Sequence, residues 1–444
     1  MSTRIVVIGG GAAGIGAAGA ARAADRDATV RVFTEYEDVG YSPCGIPYVH
    51  GREIDSFDRL FLAAKEQYDE AGIDIRYQTR VTGIDLDNHR VSVEDGSTEP
   101  FDRLVIATGF NYEQPGVPGG DLEGLYYVKN IREAMEWDRI LDQAKSVVVV
   151  DATPLGMEMI TALAHRDLDV HLVDPNPWLL ADVADPDIMQ PVEESLTEMG
   201  VKMHLRTELQ AFVGDGKVRA VQTSDGEIPA DVVVVCTHKQ PNTTLAAEAG
   251  LKIGSTGGII CNSHMETSAK GVYAAGDSVE LPHEVTGVPI VAITGSHAYS
   301  QGKVAGTNAG GGNRQYQPVC VPWGMVAGAK MIGGASVGET LASALGLPYV
   351  MGVAEGISRA RYYPGVEKLK VKLLFDPKDH TLIGAQMVGA EGIKERADFL
   401  GMMIKKKATV QDIASMENVY SPPIGALAEP IASAANDCLA RLEG

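Results

Sequence analysis

At 444 residues, 45% of them apolar, the chain is long enough for roughly three domains that each bury a core. Its 59 acidic and 38 basic residues give a formal net charge of -21, which disfavours nucleic acid and anionic membrane surfaces as partners. No apolar run reaches the roughly 18 residues of a membrane span, so no membrane insertion is expected.

The first elements read as strand 4–8, a glycine turn over 9–14, a small-residue helix to about 24 and strand 29–34, a βαβ opening with no secretory leader before it. A helix is predicted near 57–71, then strands at 73–77, 81–86 and 90–94, and a buried strand from Leu104 into Gly109. A second βαβ unit starts at Val147–Val150, with a helix over 155–165 and a strand at 170–173. Val232–Val235 closes that region, and strand Val272–Ala275 leads into Gly276-Asp277. After Gly310–Asn313 the character changes, with strands at 325–332 and 369–375 and helices at 391–405 and 426–440. The first unit therefore repeats in weaker form about 140 residues later. The predicted fold class is α/β, with two Rossmann-like dinucleotide-binding domains and a C-terminal α+β domain. The expected boundaries are 1–110 and 241–318 for the first domain in two parts, 111–240 for the second and 319–444 for the third.

Gly9-Gly10-Gly11-Ala12-Ala13-Gly14 fits G-x-G-x-x-G directly after a strand and at the head of a helix. Gly9 permits the turn, Gly11 lets backbone approach a pyrophosphate, and Gly14 lets helix pack on strand. The helix N-terminus offers N–H groups and a positive dipole end to phosphates. Glu35, 21 residues past Gly14, is the expected ribose acceptor. Five far-apart cysteines, Cys44, Cys236, Cys261, Cys320 and Cys438, with no CxxC and no zinc spacing, argue against a disulfide framework and a metal site, and for a reducing cytoplasm.

Ala107-Thr108-Gly109 and Ala275-Gly276-Asp277 each end an apolar strand, and with the first glycine loop they resemble the three FAD-contacting motifs of the two-dinucleotide flavoprotein disulfide reductases. The resemblance implies FAD as cofactor, with Asp277 bonded to its ribityl or pyrophosphate region. Gly40-Tyr41-Ser42-Pro43-Cys44-Gly45-Ile46-Pro47-Tyr48 resembles the single-cysteine branch of that superfamily: coenzyme A disulfide reductases, persulfide and polysulfide reductases, and NADH oxidases or peroxidases. Cys44 is then the redox thiol, active as a thiolate whose pKa is lowered at a helix start beside flavin. With no second cysteine near it, it pairs with a substrate sulfur or oxidises to sulfenic acid. Gly40 and Pro43 replace the family's Ser and Asn, which help hold the thiol substrate in coenzyme A disulfide reductases. Ala12 stands where the oxidases and peroxidases carry a histidine, which ranks those activities lower.

The superfamily's second glycine loop, for NAD(P)H, reads here Asp151-Ala152-Thr153-Pro154-Leu155-Gly156-Met157-Glu158. Gly156 and Glu158 keep their family places, and Asp174 ends the following strand like a ribose acceptor that favours NADH. Asp151 and Thr153 replace two glycines and oppose a pyrophosphate, so NADH is the cofactor in question. Tyr362-Tyr363-Pro364-Gly365 and Tyr420-Ser421-Pro422-Pro423 resemble the paired tyrosine motifs of the coenzyme A disulfide and persulfide reductases. They imply a C-terminal dimerisation domain and a homodimer whose tyrosines reach the partner's cysteine pocket, where a phenol protonates a departing thiolate. The leading reading is an FAD-dependent reductase of a small disulfide, persulfide or polysulfide. The alternatives are an electron-transfer subunit with a protein redox partner, favoured by the altered second loop, and an NADH oxidase.

Overall fold

The structure is a computed structural model that describes residues 2–443. The first unit contains β1 (Arg4–Ile8), α1 (Ala12–Ala24), β2 (Thr29–Phe33), α2 (Ile46–His50), β3 (Ile73–Arg76) and β4 (Arg103–Ile106). The second contains β5 (Ser146–Val150), α3 (Pro154–Ala164), β6 (Asp169–Asp174) and β7 (Val232–Val235). The chain then returns to the first unit. There β8 (Val272–Ala274) pairs with β4, giving the parallel order β8-β4-β1-β2-β3, and α4 (Gly295–Ala309) lies along α1. Those two helices almost touch, since a Cβ on Gly302 or Gly306 would come within 2.1 Å or 2.0 Å of an α1 carbonyl oxygen. The small residues of both helices are thus explained by packing.

The second sheet is parallel too, ordered Lys202–Leu205, β6, β5, β7, Leu125–Tyr126. Val147–Val150 and Val232–Val235 are buried on both faces of it, as unbroken valine runs require. In both sheets the strand ends that carry glycine loops open on the same side as their helix N-termini. The third sheet is antiparallel, ordered Pro322–Ala327, Lys330–Ser336, Leu382–Gly389, Lys368–Phe375, Val350–Ile357. Helices Ile393–Lys405 and Pro430–Glu443 share its core.

Three sequence expectations need correction. The helix at 57–71 is two pieces, Phe57–Leu60 and Lys65–Glu70, because Tyr41 bridges Phe61 and pulls the intervening chain into extended form. The strand at 325–332 is a hairpin that turns at Gly328, φ +59°. The last helix begins at Pro430, a residue suited to a helix start and not to its interior.

One buried ionic cluster joins the second unit to the third sheet. Lys372 is 1% exposed, and its Nζ lies 2.9 Å from Asp185, 2.8 Å from Asp187 and 2.9 Å from Glu339. Burial pulls the ammonium down, but these hydrogen bonds outweigh it and hold it above the usual lysine range. Asp185 also accepts the Glu339 and Thr340 amides, and its own N–H donates to Gln386 at 2.8 Å. Lys372→Met is expected to cost roughly 3–5 kcal/mol, because it strands a buried carboxylate. The first transition of a thermal or urea melt reads this. Arg59→Ala, which removes a pair whose side chains are 73% and 76% exposed, should leave that transition in place.

Candidate functional site

The first glycine loop has the shape its spacing requires. Gly9 has φ +113°, and a Cβ there would sit 2.1 Å from the Ala107 carbonyl oxygen. A Cβ on Gly14 would sit 1.9 Å from the Gly9 oxygen, whereas one on Gly11 would meet nothing within 4 Å. Gly11 is the N-cap of α1, and no side chain caps that helix. Ala12 is exposed at its head. The loop therefore presents bare backbone and a helix start to open space, a cradle that a side chain would fill.

Gly276 and Asp277 follow β8 to the same crevice. The Gly276 N–H donates to Gln301 at 2.8 Å, and Asp277 has a buried Oδ1 with no hydrogen-bond partner among the described residues. An orphaned buried carboxylate oxygen beside a bare glycine loop fits a group with hydroxyls, and the ribityl and phosphate parts of FAD supply that chemistry. Ala107 backs the loop from β4. Thr108 donates its hydroxyl to Asn242 O at 2.6 Å, and the Gly109 oxygen accepts the Asn242 N–H at 2.9 Å. Those two residues tie the segment that leaves the first unit to the one that returns to it.

Glu35 is displaced from its expected role. Gly9 N donates to Phe33 O at 2.8 Å, and in the second unit Asp151 N donates to Val173 O at 2.9 Å. The matching bonds make Thr34, not Glu35, the counterpart of Asp174. Glu35 lies one residue further out, exposed, 3.8 Å from Arg80. The strand ends at Phe33, so Thr34 is the first residue past it and Glu35 the second.

Cys44 sits in the short turn Pro43–Gly45 that leads into α2. It is exposed, while Cys236, Cys320 and Cys438 are buried and Cys261 is intermediate. The protein nevertheless crowds its sulfur. Burial raises the thiol above the ordinary cysteine value, the charges of Glu158 and Asp277 raise it further, and Lys239 opposes them. The lowered pKa expected from the sequence is therefore not supplied by the polypeptide. Burial also lifts Glu158 to about 7 against the pull of Lys239 and of the Tyr48 hydroxyl, and it lifts Tyr48 to about 12.

Lys239 and Tyr48 are the residues that sequence reasoning left without a role. Lys239 lies on strand Lys239–Pro241, which pairs antiparallel with Phe110–Tyr112, and its Nζ stands 4.3 Å over the Phe110 ring. No carboxylate of the described residues lies within ion-pair distance of it. No motif marks it, but a lone lysine just before Pro241-Asn242 was the available signal.

The tyrosine motifs come together with each other. The hydroxyls of Tyr362 and Tyr420 are 2.8 Å apart, and that bond raises Tyr420 above its ordinary value. Tyr362 is 74% exposed, beside exposed Tyr363, Val419, Ile424 and Leu427. Neither hydroxyl bonds to a group around Cys44 in the same chain.

The second loop does not fit a pyrophosphate. Asp151 holds φ +70°, Thr153 caps α3 with its own side chain, and Asp174 is 3% exposed. Gly156 keeps its packing role, since a Cβ would sit 2.1 Å from Asp151 O. Among the described residues no helix is long and apolar enough to cross a membrane, and no group of three or more His, Cys, Asp or Glu is placed to hold a metal.

Residues 3–298 match the family model of the pyridine nucleotide-disulphide oxidoreductases, and residues 326–429 match the dimerisation domain of the same family. An NADH oxidase of Methanocaldococcus jannaschii is 36% identical over 99% of either chain. An NAD(P)H coenzyme A polysulfide/persulfide reductase of Pyrococcus horikoshii is 30% identical over 97% of either chain. The solved structure of a NAD-dependent persulfide reductase from A. fulgidus superposes with a TM-score of 0.96 at 32% identity, covering 100% of this chain and 84% of that one. With its paired parallel sheets, its open first loop and its single exposed cysteine, the chain belongs to the pyridine nucleotide-disulphide oxidoreductase family.

Proposed function

We propose that this protein is an FAD-dependent reductase of a small disulfide, persulfide or polysulfide. The observation that carries the reading is the exposed Cys44, with no second cysteine near it, in the crevice that also holds Asp277. The persulfide and polysulfide reductases among the relatives support it. The Gly9–Gly14 loop, the head of α1 and Asp277 would hold FAD.

The Cys44 thiolate attacks a substrate S–S bond. That bond breaks, one sulfur leaves as a thiolate that takes up a proton, and the other joins Cys44 as a mixed disulfide. Glu158, which titrates near pH 7, and the Tyr48 hydroxyl beside it are placed to give or take that proton. FAD, when bound and reduced, would supply two-electron reducing chemistry beside Cys44, so that the mixed disulfide could be returned to two thiolates, one of them Cys44. Lys239 provides the positive charge that favours this thiolate.

Coenzyme A disulfide itself is disfavoured. The serine that would help hold it is Gly40 here, at φ +63°, and a Cβ there would lie 1.8 Å from the Tyr68 hydroxyl. In the homodimer, the exposed face around Tyr362 and Tyr420 meets a second copy, and its hydroxyl pair reaches the cysteine pocket across the interface. Cytoplasmic residence belongs to this same reading, from the free thiols.

Spectra, alkylation, light scattering and turnover test this. Photoreduced protein should release FAD on denaturation and show a long-wavelength thiolate–flavin band. Cys44→Ser should abolish the band and lower sulfur reduction by at least about a hundredfold, roughly 2.7 kcal/mol. A band that survives the substitution means the thiol is misassigned. In FAD-free protein, Glu158→Gln should move the pH midpoint of Cys44 alkylation down, and Lys239→Met should move it up, because the thiol loses an anion in one case and a cation in the other. Light scattering should find a dimer. Tyr420→Phe should keep the dimer and FAD but slow turnover by about tenfold or more.

A further inference from the structure

The family's second cofactor site is the motif that this function leaves unabsorbed. The two units can be compared position by position, because the bonds from Gly9 to Phe33 and from Asp151 to Val173 fix their register. Gly9 corresponds to Asp151, Gly11 to Thr153, Gly14 to Gly156 and Thr34 to Asp174.

The glycine needed for packing survives, and the glycine needed for a ligand does not. A Cβ on Gly14 or on Gly156 would strike the loop's own carbonyl oxygen, at 1.9 Å or 2.1 Å. That approach holds helix to strand whether or not anything is bound. At the middle position, Gly11 leaves α1 without a side-chain cap, while Thr153 Oγ1 accepts the Gly156 N–H at 3.3 Å and donates to Cys236 O at 2.6 Å. The threonine hydroxyl thus takes a helix-head amide that a phosphate oxygen would otherwise accept from.

The acid is turned inward as well. Thr34 Oγ1 accepts the N–H of Tyr36, two residues on, and Asp174 Oδ1 accepts that of Asn176 in the same way. The second oxygen of Asp174 has no counterpart in the first unit: it accepts the Ala152 N–H at 2.6 Å, from within the loop itself. Each oxygen of Asp174 thus already accepts a backbone N–H, and the residue is 3% exposed, turned toward the loop and away from the crevice where a ribose would lie. Asp151 adds a further acid. Burial lifts it to about 6, Asp174 raises it, His238 opposes, and Glu113 and Asp182 raise it slightly, so it is anionic at neutral pH.

We propose that the second dinucleotide unit is closed on itself by Thr153, Asp151 and Asp174 and does not seat a dinucleotide pyrophosphate. What the unit keeps is the wall it presents to Cys44 through Glu158 and Lys239, and that second clause rests on the reductase reading.

The test is calorimetric titration of the oxidised FAD-loaded protein with ADP-ribose, and with NADH under anaerobic conditions. Wild type should show no saturable binding up to about 1 mM. Asp151→Gly with Thr153→Gly should improve affinity at least about tenfold, roughly 1.4 kcal/mol. The pair should fold, since glycine suits the left-handed position and is itself a tolerated N-cap. Asp151→Gly alone supplies a readout without ligand. Removing a buried carboxylate with a raised pKa should raise the melting temperature more at pH 8 than at pH 5, because the cost of ionising it in the folded state builds up from its unfolded value of about 4 to about 6 and is present in full only above that. Micromolar saturation of wild type overturns the proposal, and so does a double variant that binds no better. The thiolate–flavin band of photoreduced wild type separates the two readings. Its absence removes the reductase, while the titration result stands by itself.

Discussion

The N–H groups at the head of a helix have no partner within that helix, and something must satisfy them. This protein meets that demand twice, with opposite results. At α1 no side chain intervenes, Gly11 is bare, and the crevice in front remains available to phosphate. At α3 Thr153 intervenes, and Asp174 takes the neighbouring loop amide. The surrounding architecture is nearly the same in both units, and at this loop they differ by the Thr153 hydroxyl, the inward Asp174 carboxylate and the left-handed Asp151. The remaining features follow from that asymmetry. The first unit brings Asp277 and Cys44 to its open crevice, and the second unit brings Glu158 and Lys239 to the same place from its own sealed side.

The electrostatics of the cysteine pocket are a balance. Burial and two acids hold the Cys44 thiol up, and one lysine over an aromatic ring pulls it down. Glu158, which burial lifts to about 7, is the larger of the two acidic contributions to that balance.

Much of this was legible in the residues. The first βαβ unit, the valine strands and the motif at Gly276-Asp277 are strong local signals, because glycine spacing and unbroken apolar runs leave few alternatives. Tyr362 and Tyr420 could be paired from the resemblance, and their hydroxyls meet at 2.8 Å. Other features were hidden by physics that sequence does not display. Strands Val350–Ile357 and Leu382–Gly389 carry interior glycines that blur alternation, since Gly352 and Gly384 lie against neighbouring carbonyl oxygens. Glu35 was chosen by residue count, and the true register appeared only with the bond from Gly9 to Phe33. Lys239 reaches the Cys44 neighbourhood from a strand about 195 residues away, which no spacing rule encodes.

The lysine that joins the second unit to the C-terminal sheet bears on ionic strength. Surface charges interact across water and are screened within about 10 Å at 0.1 M salt. With 59 acids against 38 bases, the exterior repels itself in dilute buffer and relaxes as salt is added. Lys372 and Asp185 are each 1% exposed, so mobile ions cannot enter between them. At the centre of the seam the Lys372–Asp185 pair is therefore shielded from the screening that weakens the outer charges, while its flanking partners Asp187 and Glu339, 39% and 40% exposed, remain open to it.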